Sequence, residues 1–385
     1  MRQIMNNVYL ITFTPLDTFF FGGQVSFSDD YYVKSAQFPS PSTIMGALRA
    51  SMLMKKGYLL QHKKGRFVPA EKSKAAADLT GITALDALDI SQPDFGIIEQ
   101  VSPCFLYQTT NNTCDAWFHL PNDIVKFKGS DFYQIVFDDL KGLASNCSKK
   151  QTSIPLRKQK HENTYVKAKE VQPGTFFGGK NFWTDYMANA KSVYYSNNII
   201  DPSDYFTEHR QVGIGLAQRQ AIDGALYVKH DYELHPNCCF AIIACFREEP
   251  AFTETIVMGG EQSIFRIHCE HIHENPLKGH PIIEAFIESS KTAQSKAEPT
   301  KQVAVSPLIA NATFFENEIF SRCFINSTGA VRMLYSPTKH KDSKQNLKTD
   351  AWKMIPAGAV FFTTEPLPLN RGLADKIGYN KVLTC

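Results

Sequence analysis

The residues that could most directly do chemistry are His209 and Arg210, which are adjacent in the sequence. Metal-free RNA cleavage needs little more than an imidazole as general base and a cation to hold a phosphate, and this pair supplies both. Tyr227, further along the sequence, accompanies the pair in this hypothesis. Because a lone His-Arg pair is common by chance, the pair supports only an alternative function, RNA cleavage with His209 as the base.

A second group, His268, Cys269, His271 and His273, contains residue types that bind metals. In a strand His271 and His273 point to the same face, but no second pair of ligands stands nearby, so the pattern argues against a zinc site. The chain also lacks the fingerprints of P-loop nucleotide hydrolases, zinc proteases, serine hydrolases and dinucleotide-binding enzymes. We therefore expect no metal, no cofactor and no catalytic residue.

A helix start near residue 40 has the composition of a phosphate site. Residues 39–43 read Pro-Ser-Pro-Ser-Thr, and apolar residues at helical spacing follow up to residue 52, which predicts a capped helix. The N–H groups at such a start attract phosphate. An ordinary capped helix on a sheet explains the same residues. The candidate RNA-binding residues here are Ser40, Ser42 and Thr43, with Arg49 further along the helix.

Paired glycines recur at Gly22-Gly23, Gly178-Gly179 and Gly259-Gly260. Loops of this kind let a ligand approach main-chain N–H groups that donate to phosphates, although each pair alone is explained equally by a tight turn. We include Gly259 and Gly260 among the candidate RNA-binding residues.

Basic charge is concentrated in two segments, residues 55–74 and 149–169, each with seven Lys or Arg residues and one Glu. Such clusters indicate contact with a polyanion, and solvent-facing loops carry them too. A third stretch mixes rings with a cation in a way that suits base stacking, and core packing explains it equally well: Phe176, Phe177, Lys180, Phe182 and Trp183.

The elements that must position these residues follow an α+β order. Strands are predicted at residues 8–14, 208–215, 225–228, 238–246, 303–308, 331–335 and 359–362, helices at 44–52 and 281–287, and a polar loop at 289–302. Strand, glycine loop and helix occur in similar order in both halves, which resembles a split βαβ repeat.

Composition sets the remaining limits. With 385 residues the chain is long enough for two domains, and its net charge is only +3. Nine cysteines without a C-x-x-C pair indicate reduced thiols, and no apolar stretch approaches the length of a membrane span. These features predict a cytoplasmic protein that does not contact a membrane.

Several motifs in order resemble a known family. They are Pro15-Leu16-Asp17-x-x-Phe20-Phe21-Gly22, Pro39-Ser40-Pro41-Ser42-Thr43-x-x-Gly46-Ala47-Leu48-Arg49, Arg210-x-x-x-x-Gly215-Leu216, Asp223-Gly224-x-Leu226-Tyr227, Gly259-Gly260-Glu261, Ser306-Pro307-Leu308 and Ile355-Pro356-Ala357-Gly358-x-Val360-Phe361-Phe362. The sequence resembles the third subunit family of the type III-B CRISPR Cmr effector complex, within the repeat-associated mysterious protein (RAMP) superfamily. The tail departs from the superfamily pattern, because Asn380 stands where a further glycine is expected.

The resemblance implies two ferredoxin-like (RRM-like) domains with loop and helical insertions, at residues 1–200 and 201–385. It implies a non-catalytic subunit that holds the 5′ tag of the guide RNA, docks the large polymerase-type subunit and contacts the backbone subunit. Arg210 and Arg219 are then the RNA-binding candidates of the second domain. The alternatives are a metal-free guide-processing endoribonuclease of the same superfamily and a subunit that mainly binds proteins.

Overall fold

The computed structural model describes residues 7–22, 25–27, 31–58, 60–63, 66–69, 73–83, 92–110, 113–126, 132–139, 153–158, 163–165, 176–188, 193–194, 196–217, 220–272, 277, 279–289, 300–310, 314, 320–325, 353–369 and 372–385. Every structural statement below concerns these residues.

The described residues form strands and a few helices. The strands are β1 (Val8–Pro15), β2 (Val25–Phe27), β3 (Tyr31–Lys34), β4 (Leu60–Lys63), β5 (Arg66–Pro69), β6 (Ile98–Val101), β7 (Phe105–Thr110), β8 (Thr113–His119), β9 (Ile124–Lys126), β10 (Phe132–Asp139), β11 (Ser153–Lys158), β12 (Asn163–Tyr165), β13 (Phe177–Gly178), β14 (Val193–Tyr194), β15 (Ile199–Ile200), β16 (Phe206–Ala217), β17 (Gln220–Leu234), β18 (Cys238–Phe246), β19 (Thr255–Val257), β20 (Ile264–His271), β21 (Thr300–Ala304), β22 (Leu308–Ala310), β23 (Phe320–Phe324), β24 (Lys353–Ile355), β25 (Val360–Thr363) and β26 (Val382–Thr384). The helices are α1 (Pro41–Lys55), α2 (Lys74–Thr80), α3 (Lys180–Met187), α4 (Pro281–Ser289) and α5 (Leu373–Lys376).

Strand β1 lies inside the largest sheet. Its β-branched and aromatic residues favour a strand, and Ile11 pairs antiparallel with Ile242 of β18 on one side and with Cys269 of β20 on the other. The first six residues of β1 are all buried, so both faces of the strand are covered. This continuous apolar run is the pattern expected of a strand that is covered on both faces.

The sheet around β1 has nine strands. Eight follow the order β15-β13-β8-β7-β18-β1-β20-β19, and β6 pairs with β18. Neighbouring residues of β1 point to opposite faces. Ile11 and Phe13 therefore share a core with α1, whereas Val8 and Leu10 share one with α3 and α4.

Helix α1 is built as the sequence predicts. Ser40 is its N-cap, and Pro41 occupies the first helical position, where a missing N–H costs nothing. Its apolar face, including Ile44, Leu48 and Met52, is buried against the sheet. The helix start is thereby fixed to the main core.

Strands β16 and β17 form a long antiparallel hairpin, which we call the arm. The arm belongs to a four-stranded sheet in the order β16-β17-β3-β2. Strand β3 runs parallel to β17 only at residues 227–230. Among the described strands, the part of β17 from residue 220 to 226 pairs only with β16, so the outer arm is a two-stranded ribbon.

Four other sheets in the described chain accompany the nine-stranded sheet and the sheet of the arm. A five-stranded sheet has the order β12-β11-β10-β14, with β9 paired to β10. A four-stranded sheet, which we call the C-terminal sheet, has the order β23-β25-β21-β26, and the two-stranded pairs are β22-β24 and β4-β5. A third core lies beneath the C-terminal sheet and contains Leu308, Phe314 and Phe361.

The predicted order of elements is mostly confirmed, including β1, α1, β16, β18, β25 and a helix that begins at Pro281. Two predictions near residue 300 are wrong. Residues 300–302, predicted as loop, begin β21, and the predicted strand 303–308 is divided between β21 and β22, because Ser306-Pro307 interrupts the ladder. The predicted strand 331–335 lies outside the described residues.

The predicted α+β class is confirmed, with many strands and few helices. The ferredoxin-like assignment and the domains 1–200 and 201–385 stay predictions. The nine-stranded sheet takes strands from both sides of residue 200. No helix in the described part of the chain is long and apolar enough to cross a membrane.

Candidate nucleic-acid interface

The start of α1 places three hydroxyls close together. Ser40 Oγ accepts a hydrogen bond from Thr43 N at 3.2 Å and lies 3.0 Å from Ser42 Oγ and 2.8 Å from Thr43 Oγ1. Pro41 has no N–H, and within the described chain no acceptor faces the amide of Ser42. All three hydroxyl residues are half-buried. The helix start therefore offers one amide and a cluster of hydroxyls to an anion.

The C-terminal segment packs against this helix start. The hydroxyls of Ser42 and the buried Tyr379 lie 3.5 Å apart. Gly378 and Asn380 on either side of Tyr379 have φ angles of 102° and 57°. Asn380 thus adopts the left-handed conformation of a glycine, and its Oδ1 accepts a hydrogen bond from Ile309 N at 2.7 Å. The asparagine at this position therefore combines a glycine-like backbone conformation with a side-chain hydrogen bond.

Arg49 is used inside the fold. Its guanidinium donates to the carbonyl oxygens of Gly81 and Thr83, each at 2.9 Å. Gly81 has a φ of 69°, and a Cβ there would lie 2.1 Å from Asp94 O, so Arg49 holds a turn that only glycine fits. The structure gives Arg49 a positioning role, and its predicted contact with phosphate stays a prediction.

The Gly259-Gly260 pair meets the first glycine loop. Gly260 N donates to Phe20 O at 2.7 Å, and a Cβ on Gly259 would lie 2.5 Å from the same oxygen. The turn then passes through Glu261 and Gln262, both with positive φ. Close approach of two chain segments explains these glycines, and the amide of Gly260 is occupied within the protein.

Arg210 is exposed on the arm, opposite His230 of β17. The neighbouring position on the same face, Glu208, pairs with Lys34 at 2.7 Å and with His230. The hydrogen bond from Lys34 lowers the pKa of the Glu208 carboxyl despite its partial burial, and the bond from His230 adds to this effect. Arg219 lies outside the described residues.

The arm also exposes apolar side chains, of which the sequence analysis named only Tyr227. Val212 is 58% exposed, Ile214 50% and Tyr227 44%. Tyr227 lies opposite Gly213, and a Cβ on that glycine would clash with its ring. In the sequence, Val212 and Ile214 alternate with Gln211 and two glycines, which is a strand pattern. The sequence could not show that this hairpin extends beyond the strands paired with its base.

His209 and Arg210 do not converge. As neighbours on a strand they point to opposite faces of the arm. His209 Nε2 lies 2.9 Å from Glu233 Oε2, in an exposed ion pair. A base and a cation on opposite faces cannot act on one phosphate, which weakens the geometric basis of the endoribonuclease alternative.

Two other sequence candidates have structural explanations. The rings of Phe176, Phe177, Phe182 and Trp183 are buried, so core packing, one of the two explanations that the sequence left open, accounts for them. The described histidines and cysteine of β20 form no metal-binding group, and His273 lies outside the described residues. His271 instead packs against the ring of Tyr9.

The basic segments are only partly described. Lys55 and Lys56, at the end of α1, are exposed. Hairpin β4–β5 lies within the first segment, and β11 and β12 lie within the second. Contact of these segments with RNA stays a prediction.

A family model described as "CRISPR-associated protein (Cas_Cmr3)" matches residues 11–294, which run from β1 past the end of α4. The chain belongs to the Cas_Cmr3 family. This confirms the resemblance to the Cmr3 subunit family of the type III-B effector complex. The matched range contains the helix start, the arm and the Gly259-Gly260 turn, whereas the C-terminal sheet lies outside it.

Solved structures of type III-B complexes are also similar to this Cmr3-family chain. One is a cryo-EM structure of Cmr-beta bound to cognate target RNA, with 12% identity, 98% of this chain and 96% of that chain covered, and a TM-score of 0.44. Another is Cmr-beta bound to cognate target RNA and AMPPnP, with the same identity and coverage and a TM-score of 0.46. No curated protein matches the sequence.

Proposed function

We propose that this Cmr3-family chain is a non-catalytic subunit that binds the 5′ tag of the guide RNA in a type III-B effector complex. The observation that carries the proposal is the start of α1. It offers the amide of Ser42 and the hydroxyls of Ser40, Ser42 and Thr43 beside the Gly378–Asn380 turn. Hydroxyls and amides bind phosphate without reading sequence, which suits a subunit that leaves recognition to base pairing.

The arm supplies a second part of the proposed interface. Arg210 is exposed there, and Arg219 falls in the sequence between the last residue of β16 and the first residue of β17. We propose that both arginines contact RNA phosphates, and that Gly259 and Gly260 shape the loop beside Phe20 instead of binding RNA through the amide of Gly260.

We further propose that exposed apolar surface serves the docking of the large polymerase-type subunit and the backbone subunit. Leu16 directly after β1, Ile264 of β20 and Val257 of β19 are neighbours in that order and are each between 44% and 50% exposed. Exposed apolar clusters of this kind favour protein contacts. We also propose a cytoplasmic location, which the free thiols of the described cysteines favour.

The ferredoxin-like assignment has support in strand order. Strands β7, β18, β1 and β20 are adjacent in that order and antiparallel, and α1 lies between β1 and β7 in the chain. A split βαβ unit begins in this way. We propose that this part of the nine-stranded sheet is one ferredoxin-like unit and that the second is built around the C-terminal sheet.

Binding of the full chain, alone and with its large-subunit partner, to guide RNA with and without the 5′ tag tests the proposal. We expect tag-dependent retention of intact RNA, about tenfold weaker binding for Ser42→Ala, and unchanged binding for the control Ser203→Ala, an exposed serine at another helical turn. For Arg210→Ala we expect the salt dependence of log K to fall by about one. Equal retention of tagged and untagged RNA, or wild-type binding by Ser42→Ala, would contradict the proposal.

The same RNA is examined for cleavage. Shortened RNA that disappears with His209→Ala would establish the endoribonuclease alternative. Binding of the partner without any RNA retention would leave only the role of a protein-binding subunit.

A further inference from the structure

A polar cavity of about 270 Å³ lies between the β7–β8 hairpin and the start of α3. It is lined by amides, hydroxyls, one thiol, one indole and one carboxylate, and Asp115 is the charged residue among the described residues that line it. The lining residues that carry the chemistry are Gln108, Thr110, Asp115, Asn181, Asn197 and Asn198.

Asp115 uses only one of its oxygens inside the protein. Oδ1 accepts hydrogen bonds from Ala116 N at 2.8 Å and from Lys180 N at 3.3 Å. Within the described chain Oδ2 accepts none, and it lies so close to Gly179 that a Cβ there would be 2.6 Å away. Burial raises the pKa of the Asp115 carboxyl, and the two N–H donors and the nearby charge of Lys180 offset this only in part.

Capping of α3 explains only part of this arrangement. Gly179, the N-cap residue, has no side chain, and Asp115 Oδ1 replaces it as acceptor for the first helical amide. Capping requires neither the second oxygen nor a cavity lined by three asparagines and a glutamine. Those groups point to a ligand with several hydrogen-bond donors.

The charge of the cavity selects the ligand. Among the described lining residues a phosphate would meet a carboxylate and no cation. A metal ion would find a single carboxylate there, with no group of three metal-binding residues in the described chain. A guanidinium carries five N–H donors in one plane and a positive charge, which match one carboxylate oxygen surrounded by amide and hydroxyl oxygens. We infer that this cavity binds the guanidinium of an arginine side chain presented by a neighbouring protein chain.

The test uses the full chain without RNA, so its outcome is independent of the proposed binding of the guide. The probe is Nα-acetyl-arginine methylamide, and the matched control is the citrulline analogue, which has the same shape and no charge. Ligand-observed NMR titration measures both. We expect the arginine probe to bind at least about tenfold more tightly, which is the gain from a charge-assisted hydrogen bond.

Two variants test whether the arginine probe binds in this cavity. Asp115→Asn keeps an oxygen for the helix cap and removes the charge, and Asn181→Lys places a cation at the cavity from an exposed helical position. Each is expected to weaken the arginine probe at least about tenfold. Thr184→Lys adds the same charge one turn along the same helix, outside the lining residues, and should leave binding unchanged. Circular dichroism confirms that each variant is folded.

Two further titrations distinguish an arginine side chain of a protein from other possible ligands. Free L-arginine that binds more tightly than the capped probe would indicate a small metabolite as the guanidinium source and overturn the protein partner. If cytidine or guanosine binds in a way that depends on Asp115, and the arginine probe does not bind, the ligand is a nucleobase and the inference is overturned. Equal binding of arginine and citrulline probes, or no binding of either, would also refute it.

Discussion

The buried pair of Asp123 and Lys301 allows the most quantitative prediction from this structure. Lys301 Nζ lies 2.7 Å from Asp123 Oδ2, and their side chains are 11% and 0% exposed. Tyr186 donates its hydroxyl to Asp123 Oδ1 at 2.8 Å, and Gln134 donates to Oδ2 at 3.1 Å. The ammonium also lies 3.8 Å from the centre of the Tyr186 ring. The pair joins the C-terminal sheet to the core beneath α3.

Removal of one partner leaves the other charge buried and unpaired. Asp123→Asn removes the carboxylate that pairs with Lys301, so we expect the free energy of unfolding to fall by about 3–5 kcal/mol. Lys301→Met leaves Asp123 with neutral donors only and should also destabilise. The double variant buries no charge, so its cost should be at least about 1 kcal/mol less than the sum of the two single costs.

Urea unfolding of the full-length variants, followed by tryptophan fluorescence, measures these costs. Trp183 reports on the relevant core, because its ring centre lies 5.7 Å from that of Tyr186. The control is Glu99→Gln, which removes an exposed ion pair with Arg247 and should cost no more than about 1 kcal/mol. Additive costs of the two single variants, or a cost for Asp123→Asn as small as that of the control, would refute the reasoning.

Three further predictions concern single residues. Arg49→Met loses two hydrogen bonds to carbonyl groups and should lower the unfolding free energy by about 1–3 kcal/mol, which thermal unfolding against a wild-type control measures. Asn380→Gly keeps the left-handed backbone and loses one hydrogen bond, so it should cost less than Asn380→Ala in urea unfolding; the reverse order would contradict the role of φ. Burial lowers the pKa of His280 from 6.5 to about 4, so the unfolded chain takes up the proton first as the pH falls. His280 should therefore contribute a loss of stability of about 1.4 kcal/mol per pH unit between pH 6.5 and 4, and His280→Gln should show a correspondingly shallower drop in urea unfolding.

The sequence predicted the elements that depend on neighbouring residues. The β-branched run from Val8, the capped helix after Ser40 and the helix at Pro281 are all present. The predicted strand also bears on the endoribonuclease alternative. A strand at residues 208–215 already places His209 and Arg210 on opposite faces, which argues against their joint action on a phosphate.

Other features could not be decided from the sequence, because composition does not report burial. Aromatic rings next to Lys180 suit base stacking as well as a core, and only packing between α3 and the sheet decides that they are buried. Arg49 is another example. Its position in the helix predicts which way the side chain leaves the helix, but not that the guanidinium donates a hydrogen bond to the carbonyl of Gly81.

By itself the sequence determined the α+β class, the cap of α1 and the family to which the chain belongs, because these depend on local spacing and on motifs in order. The tertiary structure decided which distant residues meet. Ser42 and Tyr379 are 337 positions apart, and Asp123 pairs with Lys301 from another sheet. Such contacts form when separate elements bury their apolar faces against a common core, and no local pattern encodes the partner that burial brings within reach.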